Sequence, residues 1–481
     1  MEFFSQSTLR EINLYPYLTW VFYGALLFFS PYWMRKEKRL FTLFLITLIF
    51  ETAFVIDIGF FVRPSYVIGL ILAIRTVARG LTFPWKYALF LALFVLTGIA
   101  GIFLNLDLIG AATSGESRAT FLRPLIQSGQ LIMMIFITMT TFAILKKGQY
   151  FRHTIRVLHW LSVAVALAAL YELAASYFHL PYLNLNNMVP YYWYSGFGTA
   201  SGYYIFRARV TFIEPIELNN FQILGIMSSL VYRVLYQIPW KKYWPLLVLQ
   251  LLVLLGTFSR STILTISVLA PLFFLLYPRR VKTALGFFTD RWIRVLTVGA
   301  LIFLIVYAGT MTPEEVKQSN PVSQALLTRL ILHKTKYDEI KPWGRAGAVE
   351  EIQPLIENQR LAFGVGLGND ANWKGGIGGS YNLYNQIILY TGVIGLSIFF
   401  VFIGSIIYGL FRNYRRRSTD LDFRKINWIF MLGLVGILVQ RLSFSGLLND
   451  TYLWVAFGLC IYLGYAKGDI LQREDYTKDA I

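Results

Sequence analysis

The sequence predicts an all-α fold, a polytopic membrane helical bundle of about 12–14 transmembrane helices. Three observations predict it. Hydrophobic residues make up 56% of the 481 residues and charged residues only 15%, against about 25% charged in a soluble domain. Apolar runs long enough to span a bilayer recur along the chain. The basic residues gather in short clusters between those runs.

The remaining composition narrows the function classes. A single cysteine, Cys460, and four histidines leave no disulfide framework and no Cys- or His-based metal site, so neither a metal nor a cofactor is expected. The net charge of +18 follows from the positive-inside rule, and nucleic acid is not an expected partner. Aromatics at 17% suit interfacial Tyr and Trp belts.

Apolar runs place spans near 14–34, 40–61, 64–83, 87–106, 124–145, 157–178, 216–237, 244–258, 261–277, 293–310, 383–411, 426–447 and 450–466. The eighth and ninth could form one tight hairpin. With Arg35, Lys36, Lys38 and Arg39 in the cytoplasm, alternation puts every later cluster inside too, including Lys146/Lys147, Lys241/Lys242, Arg279/Arg280 and Arg412–Arg417. The N-terminus then lies outside, and the first run is expected to be an anchor rather than a cleaved signal. Residues 1–481 read as one integral membrane domain. An external loop at 179–213 and a large late one at 311–380 cap the bundle.

Charges inside spans are functional candidates by default. Glu51 and Arg75 stand at matching depth on antiparallel spans, as a structural ion pair or a proton relay. Arg63, Arg123, Arg207, Arg209, Arg260 and Arg441 fall near external helix ends, singly and on different helices. Each could snorkel to headgroups; converging, they would grip a lipid-linked phosphate or pyrophosphate with paired donors. The run "LLGTFSRSTILTI" holds Arg260 at the tip of a tight turn. In "RARVTFIEP", Glu214 precedes Pro215 at a helix start. It either caps the helix or, beside Arg207 and Arg209, takes a proton from a sugar hydroxyl.

The run "RLAFGVGLGNDANWKGGIGGSYNLYNQ" alternates Gly364, Gly366 and Gly368 and then supplies Asn369, Asp370, Trp373, Tyr381, Asn382 and Tyr384. No strand precedes the glycines, so they are not a nucleotide fingerprint. They would allow close backbone approach to a substrate or to another loop. The amides and aromatic faces suit sugars, or an interfacial belt.

Taken in order, Ser259-Arg260, Gly364-Val365-Gly366-Leu367-Gly368, and Tyr381-Asn382-Leu383-Tyr384 leading into Thr391-Gly392-Val393-Ile394-Gly395-Leu396 resemble the O-antigen ligase and polymerase superfamily of bacterial envelope glycosyltransferases (the Wzy-like proteins). Arg209–Pro215 resembles its exopolysaccharide-polymerase branch. The resemblance covers about residues 200–400 by motif. It implies a GT-C-like glycosyltransferase in the bacterial inner membrane, multi-pass, with its active site on the periplasmic or extracellular side. It implies polymerisation of undecaprenyl-pyrophosphate-linked oligosaccharide repeat units for O-antigen, capsule or exopolysaccharide. Membrane lipid and the flippase and chain-length regulator of the same pathway would be partners.

The histidine that ligases of this family use as base aligns with Tyr381, whose pKa near 10 makes it a poor base at neutral pH. Glu214 is the replacement, with His333 second; His333 also reads as an ordinary surface histidine. Arg260, with Arg207 or Arg209 and with Arg329 or Arg345 from the late loop, would stabilise the departing pyrophosphate without a metal, and Asn369 and Asn382 would bind sugar. The alternatives are a ligase passing glycan to lipid A core and a transporter or flippase of lipid-linked glycans. Transport predicts a charged cavity at the bilayer midplane and paired broken helices.

Overall fold

The computed structural model describes residues 11–12, 15–50, 53–57, 61–110, 122–148, 150–178, 180–183, 196–198, 204–206, 208–212, 215–257, 262, 265–266, 268–269, 352–371, 382–416, 420–443 and 450–466. They are mostly helical. Four helices are long and apolar enough to cross a membrane: Trp85–Leu104, Leu122–Lys147, Phe151–Ala175 and Leu383–Arg415. Thr19–Phe28, Pro64–Ala78 and Thr451–Tyr465 are shorter apolar helices. This agrees with an all-α membrane protein. Most of the predicted span at 261–277, all of that at 293–310 and most of both external loops lie outside the described residues.

The helices, in chain order, are α1 (Tyr15–Phe28), α2 (Ser30–Arg35), α3 (Glu37–Thr47), α4 (Pro64–Ala78), α5 (Trp85–Leu104), α6 (Leu106–Gly110), α7 (Leu122–Gly148), α8 (Phe151–Phe178), α9 (Pro215–Leu235), α10 (Trp240–Gly256), α11 (Gln353–Glu357), α12 (Leu383–Arg415), α13 (Leu421–Gln440) and α14 (Thr451–Tyr465). Proline sets many of the starts. Pro84 and Pro239 stand just before α5 and α10, while Pro64 and Pro215 open α4 and α9. A first-turn proline gives up no helical hydrogen bond.

The first two expected spans are not continuous helices. The first divides at Phe29, because Pro31 starts a new helix, α2, and cannot continue the old one. The second, expected over 40–61, ends as helix at Thr47. Beyond it, Ile56–Asp57 pairs antiparallel with Phe61–Val62. The branched and aromatic Ile56, Phe61 and Val62 favour strand over helix. Phe54, at φ +60°, stacks on Phe22 with ring centroids 4.5 Å apart. The other ladders among the described residues are as short: Glu11–Ile12 with Tyr182–Leu183, and Gly196–Gly198 with Tyr204–Phe206.

The chain forms two compact units. The first comprises Met1–Ile68, Phe151–His333 and Leu432–Gln440, and the second Gly69–Tyr150, Lys334–Met431 and Arg441–Ile481. In the first, α8 packs along α9, with α10 and α3 against α8. Gly225 permits the α8–α9 approach, since a Cβ there would stand 2.3 Å from the Ser162 Cβ. In the second, α5 packs on α12, α7 on α14, and α12 on α14. Every residue of α14 from Thr451 to Gly464 is buried, as expected of a helix that is apolar on all sides. Its Gly458 leaves room for Thr138 and Thr141 of α7, small residues that let membrane helices close up. The Thr138 hydroxyl donates to the Trp454 carbonyl at 2.8 Å.

Candidate functional site

The alternating glycines build the centre of the second unit. Arg360–Gly368 runs as a strap over three helices, and each glycine faces a different one. A Cβ on Gly364 would stand 2.4 Å from the Leu389 carbonyl of α12. One on Gly366 would meet Ile102 N of α5 at 2.4 Å, and one on Gly368 would meet Pro124 of α7 at 2.7 Å. The close approach anticipated for these glycines is therefore to helix backbones.

The strap packs where α12 breaks. Gly392 has φ +68° and ψ −172°, so the helix is interrupted nine residues after its start. In an unbroken helix the Val393 amide would donate to the Leu389 carbonyl. Here Val393 N donates to Leu361 O at 2.9 Å, and Leu389 O accepts from Val365 N at 2.8 Å. Ile394 N reaches Ala362 O at 3.3 Å. The strap thus takes both orphaned groups, which hydrocarbon could not satisfy. Asn105, the C-cap of α5, steadies it, its side-chain amide donating to Gly364 O at 3.0 Å and Gly101 O at 2.6 Å.

The strap ends in a 3-10 turn, Asn369–Ala371, that delivers two polar side chains to the starts of α7 and α12. Arg123 Nη2 lies 3.1 Å from Asp370 Oδ2; the carboxylate is 1% exposed and the guanidinium 36%. Asn369 is buried and donates to Val365 O at 2.9 Å. Its Oδ1 has no hydrogen-bond partner among the described residues. Gln386 donates to the Tyr390 hydroxyl at 3.4 Å from the preceding turn of α12. That hydroxyl also neighbours Gln127 of α7 and feels the charges of Asp370 and Arg123. The result is a buried amide–phenol–carboxylate centre with one partly exposed arginine, able to hydrogen-bond a polyhydroxylated or anionic ligand. Outside it, Arg360 binds Asp107 at 2.6 Å, and this hydrogen bond holds the Asp107 carboxyl below its usual range.

We expect Gly366→Val, at φ +93°, to lower the melting temperature clearly, because overpacking costs about 1–3 kcal/mol and positive φ disfavours a branched residue. Gly404→Ala, where a Cβ meets nothing within 4 Å, should leave it unchanged or raise it. Thermal unfolding of both variants in detergent checks the contrast; equal melting temperatures would refute the role of the strap.

Of the residues assigned catalytic or substrate-binding roles from sequence, Arg209, Asn369 and Asn382 are described. Glu214, Arg260, His333, Tyr381, Arg207, Arg329 and Arg345 lie outside the described residues, as does Glu51. Asn382 is the N-cap of α12, its Oδ1 accepting from Asn385 N at 2.8 Å, a helix-end role. Arg209 is fully buried in the first unit. Its amide and that of Val210 donate to Glu172 Oε2 of α8 at 3.0 and 2.7 Å.

Two other arginines expected near external helix ends have structural partners. Arg63 is buried with its guanidinium 5.7 Å from the Tyr66 ring centre. Arg441, fully buried, forms an ion pair with Asp450 and donates to the Tyr452 hydroxyl at 3.2 Å. These two are built into the fold.

Sequence reading missed Glu172 and Glu217, both nearly fully buried. The same rule that singled out Glu51, an acid within an apolar run, would have found Glu172. It also missed a network of neutral polar groups in the first unit. His159 Nδ1 is 2.7 Å from the Ser229 hydroxyl, and Gln250 donates to Ser229 at 2.9 Å and to Ser162 at 2.5 Å. Asn219 joins Thr257 and Thr262.

No protein-family model and no curated protein matches this chain.

Proposed function

We propose that the chain is a GT-C-like glycosyltransferase of the bacterial inner membrane that polymerises undecaprenyl-pyrophosphate-linked oligosaccharides on the extracytoplasmic side. The observation that carries this reading is the glycine strap. The run that resembles the O-antigen ligase and polymerase superfamily closes the broken α12, and it brings Asp370, Asn369 and Arg123 together at the starts of α7 and α12. An acceptor hydroxyl attacks the anomeric carbon of the donor, and the bond from that carbon to the pyrophosphate oxygen breaks. Glu214 takes the hydroxyl proton, and Arg260, with Arg207 or Arg209, stabilises the leaving pyrophosphate. Arg329 or Arg345 completes the arginine set, and Asn369 and Asn382 hold sugar. Flippase and chain-length regulator act before and with it.

The purified protein, given lipid-linked repeat units alone, should yield a ladder of lengthening products. Arg260→Lys should remove most of it, because an ammonium lacks the planar two-donor grip. Near-wild-type ladders from the folded variant would refute that role. Product that forms only after lipid A core is added means ligase.

A transporter or flippase of lipid-linked glycans is the second reading. The break in α12 and the polar network around Ser162, Ser229 and Gln250 favour it, since discontinuous helices and buried polar groups mark transport paths. Movement of labelled lipid-linked units across proteoliposomes with no ladder would establish it.

A further inference from the structure

At the opposite end of α12, the side chains of Tyr408, Phe411, Arg412, Arg415 and Arg416 line a cavity of about 290 Å³. Three of the five are arginines, and no carboxylate among the described residues lines it; Arg412 also donates to Gly464 O at 3.4 Å. Of the nearest acids in sequence, Asp422 pairs with Lys425 at 2.7 Å, and Asp420 Oδ1 accepts from the Asp422 amide at 3.1 Å. Arg415 lies over the Phe411 ring at 5.4 Å, which orients its guanidinium at the cavity wall.

An apolar track leads into this cavity. Val401, Gly404 and Tyr408 follow one another at helical spacing along a single exposed face of α12, with Val393 two turns before Val401 and Ser397 between them; Val401 is 54% and Tyr408 64% exposed. Gly404 is a notch in that face, with no atom within 4 Å of where a Cβ would stand. From Val393 to Tyr408 the track covers roughly 22 Å at 1.5 Å per residue, more than the thickness of one leaflet. A free phosphate would use the arginines and leave the track bare. A diacyl lipid uses both.

From this we infer that the α12 terminus is a binding site for an anionic phospholipid, its phosphate held by Arg412, Arg415 and Arg416 and one acyl chain lying along Val393–Tyr408. The basic cluster places this end on the cytoplasmic side by the positive-inside rule, the leaflet face where anionic headgroups attract cationic residues. The site is separate from the strap and does not depend on the glycosyltransferase reading.

The test uses the full chain purified in detergent, titrated with phosphatidylglycerol and with phosphatidylcholine of the same acyl chains, and read by native mass spectrometry and thermal shift. Phosphatidylglycerol should bind and raise the melting temperature, and phosphatidylcholine should not. Arg412→Gln/Arg415→Gln should weaken phosphatidylglycerol binding roughly thirtyfold, at about tenfold per 1.4 kcal/mol for two interfacial arginines. The corresponding double lysine variant, which keeps the charge, should retain part of it. Gly404→Leu should weaken binding with the charge untouched. Equal response to both lipids, or no response to either, overturns the site, and so does undiminished binding by the folded glutamine variant. Displacement of the lipid by millimolar inorganic phosphate would make it a soluble-phosphate site and also overturn the proposal. If the glutamine variant fails to fold, the lipid comparison on the wild type and the Gly404→Leu variant decide.

Discussion

Glu214→Gln is expected to slow polymer formation by roughly 10²–10⁴-fold, the range for losing a general base, while the lipid-linked donor still binds. The acceptor hydroxyl must lose its proton as the new glycosidic bond forms, and Tyr381 cannot take it at neutral pH. Glu214 immediately precedes Pro215, the first residue of α9, with Arg207 and Arg209 close upstream. A helix start and neighbouring guanidiniums would favour its ionised form. If the carboxylate only caps α9, glutamine should cost about 1 kcal/mol of stability and leave the ladder intact. Measuring ladder formation and melting temperature on one preparation separates the outcomes. A fully active variant would end the catalytic assignment.

The second large effect is on stability. Arg441→Met should cost about 3–5 kcal/mol, because it strands the Asp450 carboxylate in the core of the second unit. Both side chains are fully buried, and Arg441 also donates to the Tyr452 hydroxyl. Removing both charges, Arg441→Met with Asp450→Leu, should recover most of that loss, since two well-packed apolar side chains replace a desolvated pair at little net cost. Denaturation in mixed micelles reads the two variants against wild type. A double variant as unstable as the single would mean the arginine contributes by packing rather than through its partner.

Much of the helical scaffold was legible because it rests on local rules. Apolar length and prolines located α5, α7, α8, α9, α12 and α14 to within a few residues, apart from the α8 start. What misled was reading apolar length as continuity. The run 40–61 is apolar enough for a span, yet the Ile56–Asp57 and Phe61–Val62 pairing ends it. The run 383–411 passes straight through the break at Gly392, because hydropathy averages over a change of φ at one residue. The glycines were recognised as sites of close approach, but their neighbours were not, since Gly101, Pro124 and Leu389 lie far away in sequence. Charges were judged one at a time, so Arg441 looked like a ligand for phosphate until Asp450, nine residues on, was seen facing it. The Ser162–Ser229–Gln250 network carries no charge and left no mark in a search for ionised residues.

The strap also bears on biogenesis. Residues 360–366 leave the ribosome before α12, yet they satisfy the backbone groups that α12 leaves open at Gly392. Leu383–Arg415 therefore takes its native shape only against the strap, which is already synthesised; undocked, it inserts as a straight rod and cracks later. A continuous rod is the lower-energy form for that segment alone, because it satisfies its own hydrogen bonds. The kink is a property of assembly, acquired only when two stretches of one chain meet. An insertion machine that released this helix early would release it in the wrong form.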